Sequence, residues 1–173
     1  DYLRSFELKH LEKLNSFLSE IQYCLLENSN DSFIALEEEF KRIEKKYSKS
    51  FSNEQRKREF YLGRIAARFA MKDLLNDPDI FVGQDESRAP IWPNDIVGSI
   101  SHNTNYIIAV ATTKSKYKSI GIDIEQKNRT KDGMKKFICS EFDIKSHPNL
   151  SDSELLTLIF SAKESLYKAL YPL

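Results

Sequence analysis

The eight residues "SIGIDIEQ" (119–126) alternate almost perfectly between apolar and polar. In an extended chain Ile120, Ile122 and Ile124 share one face, which leaves Asp123 and Glu125 together on the other. Runs rich in β-branched residues read as strands, and "YIIAVATT" (106–113) just upstream is a second one. Only "KSKYK" (114–118) separates the two, so the spacing predicts an antiparallel hairpin.

Helical periods lie on both sides of that hairpin. Residues 6–19 place Phe6, Leu8, Leu11, Leu14 and Leu18 near helical spacing, after which "IQYCLLE" (21–27) reads as a strand and "NSNDS" (28–32) as a turn. A charge-rich helix is expected from Phe33 to Tyr47 and a second from about Asn53 to Leu75, with Leu62, Ile65, Ala66 and Phe69 as its core face. Asn76-Asp77-Pro78 should end it, since proline cannot continue the ladder, and a short strand is expected at 80–83. Further on, Ser151-Asp-Ser-Glu154 has the spacing of a capping box, opening a last helix from about Asp152 to Leu170.

Composition sets the class. The chain has 173 residues, 40% hydrophobic and 30% charged, enough to bury a core as a soluble globular protein. Lys plus Arg and Asp plus Glu both total 26, so no net field draws it to nucleic acid or an anionic membrane, and any charged partner must meet a local patch. Cys24 and Cys139 form neither a CxxC pair nor a Cys/His array, which suits a reducing cytoplasm. No apolar run approaches the roughly 20 residues of a membrane span, and no signal-peptide pattern is seen. Because the chain opens on Asp1 rather than Met, its native start is expected upstream.

Four constellations could carry chemistry. Two acids at i and i+2 of a strand can converge on one hard cation, for which magnesium, completed by waters and phosphates, is the natural occupant. Alone, Asp123 and Glu125 read more readily as the wet face of an edge hairpin. In "RAPIWPNDIVGSISHN" (88–103) two prolines stiffen a loop around Trp92, and Ser101-His102 sits at a strand edge or loop mouth. His102 could donate to a phosphate or act as a base, or be structural. In "RKREFYLGRIAAR" (56–68) Lys57, Arg64 and Arg68 fall within about 40° of one another on a helix, with Arg56 close by, forming either a phosphate clamp or a solvated face paired with Glu54 and Glu59. In "FSAKESLYKAL" (160–170) Phe160, Glu164 and Lys168 share one helical column, a surface pair worth only about 0.2–0.5 kcal/mol if nothing else meets it.

Taken in order, Arg56-x-x-Glu59-Phe60-x-x-Gly63-Arg64, Arg88-x-Pro90-x-Trp92-Pro93, Gly98-Ser-Ile-Ser-His102, Gly121-Ile-Asp-Ile-Glu125 and Phe160-x-x-Lys163-Glu-Ser-x-x-Lys168-Ala169 resemble the 4′-phosphopantetheinyl transferases of the enterobactin-synthetase-component type. The resemblance spans residues 56–170 and implies transfer of the phosphopantetheine arm of coenzyme A to a serine of an acyl or peptidyl carrier protein, with magnesium required and 3′,5′-ADP released. By it, Asp123, Glu125 and Glu164 are the metal carboxylates, and Glu164 is also the base, acting directly or through a water. Lys168 holds the diphosphate, with Lys163 in a less defined role. Ser101 and His102 touch coenzyme A phosphates, and Arg56, Arg64 and Arg88 form the basic clamp.

The implied fold is α+β, with two pseudo-symmetric lobes that each pack a long helix on an antiparallel sheet, divided at 1–117 and 118–173. Asn94-Asp95 stands where the family usually has a glycine after Trp-Pro, and the chain stops at Leu173 where relatives continue, so an incomplete second lobe is expected. For the carboxylates to meet, the last helix must lay Glu164 against the end of 119–125. A cytoplasmic monomer is expected, with no membrane or nucleic-acid partner. Two further readings use the same residues: a magnesium-dependent phosphoesterase, and a non-catalytic or truncated relative that holds coenzyme A or a carrier.

Overall fold

The computed structural model describes residues 19–47, 51–75, 77, 79–127 and 129–171. The helix expected over 6–19 lies outside them but for its last residue.

The alternation of 21–27 produces strand β1 (Gln22–Glu27), which pairs antiparallel with β5 (Tyr106–Thr113), and β5 pairs in turn with β4 (Ile96–His102). The sheet order β1-β5-β4 puts β5 in the centre. Both edges of β5 are thus occupied, and the hairpin expected between 106–113 and 119–125 does not form. Residues 119–125 run alongside β4 instead, held by serine hydroxyls: Ile122 N donates to Ser99 Oγ (3.1 Å) and Ile124 N to Ser101 Oγ (3.3 Å). Among the described residues from 118 onward there is therefore no strand ladder.

Four expectations upstream need correction. "NSNDS" is not a turn but a helix start, because the Ser29 hydroxyl accepts from Ser32 N and caps α1 (Asn30–Ala35). The helix expected over 33–47 is broken at Leu36, whose non-helical backbone separates α1 from α2 (Glu37–Lys46). The long helix, α3 (Glu54–Met71), is capped by the Asn53 side chain, and it ends four residues before Leu75. The strand expected at 80–83 is shifted: only Gly83–Gln84 (β2) pairs, with Pro90–Ile91 (β3).

The core lies between α3 and one face of the sheet. Leu62, Ile65 and Ala66 are buried as their spacing predicts, but Phe69 is 38% exposed, and Tyr61, Ala67 and Ala70 complete the buried surface. Opposite them the sheet presents Ile107, Ala109 and Ala111, residues small enough in two of three places to let the helix come close. Gly63 sits where an added Cβ would be 3.3 Å from Ile100 Cγ2, which tightens the same contact.

After the short helix α4 (Lys135–Ile138), the last helix, α5 (Asp152–Leu170), begins on the expected capping box, with Ser151 Oγ accepting from Glu154 N and the Glu154 carboxylate accepting from Ser151 N at 2.7 Å. The Lys127 ammonium, 2.6 Å away, and the Ser151 donors hold the Glu154 carboxyl down at about 2. A carboxyl depressed on folding contributes stability above its ordinary 4.5 and loses it as pH falls through about 2. Glu154→Gln should therefore unfold at a lower temperature than the parent at neutral pH, and the gap should close as pH is lowered through that window. A gap that stays constant with pH in thermal melts would refute the assignment.

A candidate catalytic centre

Asp123 is the hub of the site. Its side chain is 5% exposed, and its Oδ1 accepts from Lys168 Nζ at 2.7 Å and from Ser101 Oγ at 2.9 Å. Lys168 Nζ also donates to Ser101 Oγ (3.0 Å) and to Ile122 O (3.2 Å), so one ammonium ties α5 to β4 and to the 119–125 segment. Burial pushes the Asp123 carboxyl up, but the hydrogen bonds from Lys168 and Ser101 outweigh it and leave it below the usual carboxylate range. The Ser161 side chain acts weakly in the same direction, and by geometry Asp123 Oδ2 is left buried with no hydrogen-bond partner.

Glu125, two residues on, is 12% exposed and accepts from Arg129 Nη1 at 2.7 Å. Burial raises its carboxyl, Arg129 and Lys168 act against this, and the like charges of Asp123 and Glu164 add to it. Helix α5 thus faces both acids, meeting Asp123 through Lys168 and opposing Glu125 with Glu164. Yet among the described residues no three His, Cys, Asp or Glu side chains converge tightly enough to hold a metal by themselves. Asp123 Oδ1 and Glu125 Oε1 are each turned toward a basic side chain. The orphaned Oδ2 fits a hard cation, since an anionic oxygen buried without a donor is costly to leave unmet.

Alternation along β4 sends Ser101 and His102 to opposite faces. Ser101 joins the Asp123 cluster, whereas His102 lies over α3, its Nδ1 3.9 Å from Glu59 Oε2. Ser101 is buried, its hydroxyl engaged by Asp123, Ile124 N and Lys168, so of the two His102 is the one exposed to a ligand.

The basic helix face is divided. Arg64 is 6% exposed, donates to Gly83 O at 3.1 Å and lies 4.4 Å from the centre of the Phe60 ring; burial pushes its guanidinium down to about 10. Lys57 pairs with Glu44 and Arg68 with Glu39, both acids of α2 rather than the Glu54 and Glu59 expected from sequence. Of the three expected clamp positions, Arg56 in the first turn of α3 and Arg88 are exposed, and Arg64 is not. Arg88 stands on the β2–β3 turn with a left-handed backbone, φ 73°. Lys163 turns the other way, donating to Ile138 O and pairing with Asp143 at 2.6 Å.

A cleft of about 610 Å³ runs between the 85–100 region and the C-terminal half of α5. Arg88, Lys114, Lys118 and Lys168 line it against a single acid, Asp85, and Trp92 and Tyr167 add aromatic walls. A volume of this size suits a small ligand, and the lining suits a polyanion. Lys114 and Lys118 belong to a stretch whose sequence reads only as a turn; their shared sign was the available signal. Arg129 went unnoticed too, although its i+4 offset from Glu125 is a familiar ion-pair spacing.

Comparison with known proteins bears on the same segments. Residues 45–112 match the 4′-phosphopantetheinyl transferase N-terminal domain, and residues 119–173 match the 4′-phosphopantetheinyl transferase superfamily. The chain belongs to the 4′-phosphopantetheinyl transferase superfamily. It is 37% identical over 130 residues to 4′-phosphopantetheinyl transferase Npt of Nocardia iowensis, covering 70% of this chain and 55% of that protein. Enterobactin synthase component D of Salmonella austin is 37% identical over 118 residues (66% and 48%), and 4′-phosphopantetheinyl transferase PptT of Mycobacterium tuberculosis is 31% identical over 121 (69% and 53%). The chain spans about half the length of these curated relatives. The Asp123 cluster joins the two superfamily segments physically, since Ser101 comes from the first and Asp123 and Lys168 from the second. No helix of the described residues is long and apolar enough to cross a membrane.

Proposed function

We propose that this chain transfers the 4′-phosphopantetheine arm of coenzyme A to a serine of an acyl or peptidyl carrier protein and releases 3′,5′-ADP. The observation that carries the reading is Asp123: one oxygen is buried and unmet, and the other is 2.7 Å from the Lys168 ammonium, at the edge of a basic cleft. A cation seat thus adjoins a phosphate-binding charge.

In this reading residues 1–117 and 118–173 form two lobes, and the cleft between them takes coenzyme A. Arg88, Lys114 and Lys118 meet its phosphates, and Arg56 and His102 reach them from the α3 side. Arg64, buried on Gly83 O, holds β2 in place rather than touching a phosphate. Asp123 and Glu125 would hold magnesium, with Glu164 as the third carboxylate. Bound there, the ion supplies positive charge where negative charge develops on the diphosphate.

The carrier serine Oγ attacks the phosphorus next to the pantetheine arm, forming one P–O bond while the bond to the bridging oxygen breaks. That oxygen leaves with 3′,5′-ADP, and the serine proton passes to Glu164, directly or through a water. Lys168 turns from Asp123 toward the diphosphate and stabilises its developing charge. Cys24 and Cys139 are both unpaired, which supports a reducing, cytoplasmic setting.

The test is incubation of the chain with coenzyme A, magnesium and an apo carrier protein, followed by intact-mass measurement. A gain of one phosphopantetheine on the carrier is expected. Cleaved coenzyme A with an unmodified carrier would favour a phosphoesterase, and bound but intact coenzyme A a non-catalytic relative.

A further inference from the structure

Arg129 is assigned no role by the transferase reading, yet the fold secures it from three sides. Its backbone N donates to Gln126 O (3.0 Å), closing a turn that brings the side chain back on Glu125. The next residue, Thr130, is 1% exposed and riveted to α5: its Oγ1 is 2.8 Å from Thr157 Oγ1 and 3.1 Å from Ser153 O, and its carbonyl accepts from Ser153 Oγ at 2.6 Å. The Arg129 guanidinium then lies 4.9 Å from the centre of the Phe160 ring, one turn before Glu164 on the same helical column. Stacking on an aromatic face while donating to a carboxylate is the arrangement for which a planar guanidinium is suited.

We infer that Arg129 is a positioning residue for Glu125, fixing the carboxylate through Oε1 and leaving its other oxygen for the cation; this rests on the metal site proposed above. Glu125 is nearly buried beside two other acids, Asp123 and Glu164, and a free carboxylate there would rotate away from them. Arg129 holds it in place, and Phe160 and the Thr130 clasp hold Arg129. Outer hydrogen bonds of this kind orient metal-binding carboxylates, and their loss typically weakens binding about 10–100-fold. A cation beside the seat also repels a metal ion, so the sign of the effect is itself the test.

The probe is Mn2+, followed by the loss of its free paramagnetic signal on titration into the full chain without coenzyme A or carrier. Arg129→Met should weaken Mn2+ binding about 10–100-fold, and Arg129→Lys should recover part of it. In carrier loading the half-saturating magnesium concentration should rise, while KM for coenzyme A at saturating magnesium stays within about twofold, a split that general destabilisation would not give. Should Arg129→Met not fold, Phe160→Leu decides: it removes the stacking surface, leaves both charges, and should weaken Mn2+ binding more modestly. Equal or tighter binding in the variant that decides overturns the inference. A parent chain that binds no Mn2+ overturns both it and the metal site. A parent that binds Mn2+ dependent on Asp123, but loads no carrier, defeats the transferase reading and leaves the role of Arg129 standing.

Discussion

Asp123→Asn should slow carrier loading by at least roughly 10³-fold while leaving a folded protein. The substitution keeps the shape of the side chain and the acceptor for Ser101, but removes the charge on both oxygens. A metal contributes several kcal/mol of charge stabilisation in the transition state, and each 1.36 kcal/mol is tenfold in rate. Lys168 also loses the anion 2.7 Å from its Nζ. Breaking a fully buried pair costs about 3–5 kcal/mol, but Lys168 is 27% exposed and keeps Ser101 and Ile122 O, so the loss of stability should fall well below that range. Loading rates across a magnesium series, read beside thermal melts, separate the two effects. A folded Asp123→Asn protein that loads carrier at the parent rate would remove Asp123 from the mechanism.

What the sequence revealed depended on how local each cause was. The capping box at Ser151 is settled within four residues, and structure and spacing agree. So is the long helix 54–71, whose apolar period outweighs its charges. The hairpin failed because the pairing of 119–125 depends on who occupies the edges of β5, and one of them, β1, lies more than 75 residues earlier. The helical wheel placed Lys57, Arg64 and Arg68 together correctly, but it carries no information on what packs against that stripe. Glu39 and Glu44 of α2 took two of the three charges, and Gly83 O took the third. Asp123 and Lys168 meet because an extended segment and a helix each turn their side chains in a regular sequence, and one helix-to-segment contact brings the two together.

That contact makes Gly121 the second position where a small change should have a large effect. Its backbone φ is not positive, so the constraint is space rather than conformation. An added Cβ would lie 1.9 Å from Ser165 O, 2.8 Å from Ala169 N and 3.0 Å from Ser165 C, far inside the 3.4 Å where ordinary contact begins. These are backbone atoms of one turn of α5, which cannot rotate aside as a side chain would. Gly121→Ala must therefore push the 119–125 segment and the helix apart. Overpacking costs about 1–3 kcal/mol and occasionally more, and the rate should suffer further. Ile122 O and Asp123 Oδ1, one and two residues on, are the acceptors of Lys168 Nζ, at 3.2 and 2.7 Å. A displacement of about 1 Å at reacting groups can cost 10²-fold in rate, so loading should fall by about that factor even at temperatures where the variant is folded. Gly133→Ala is the control, since a Cβ there meets nothing within 4 Å and should change neither melting nor loading. If Gly121→Ala melted and loaded like the parent, the close seating of α5 on the acid-bearing segment would not be what holds Lys168 on Asp123.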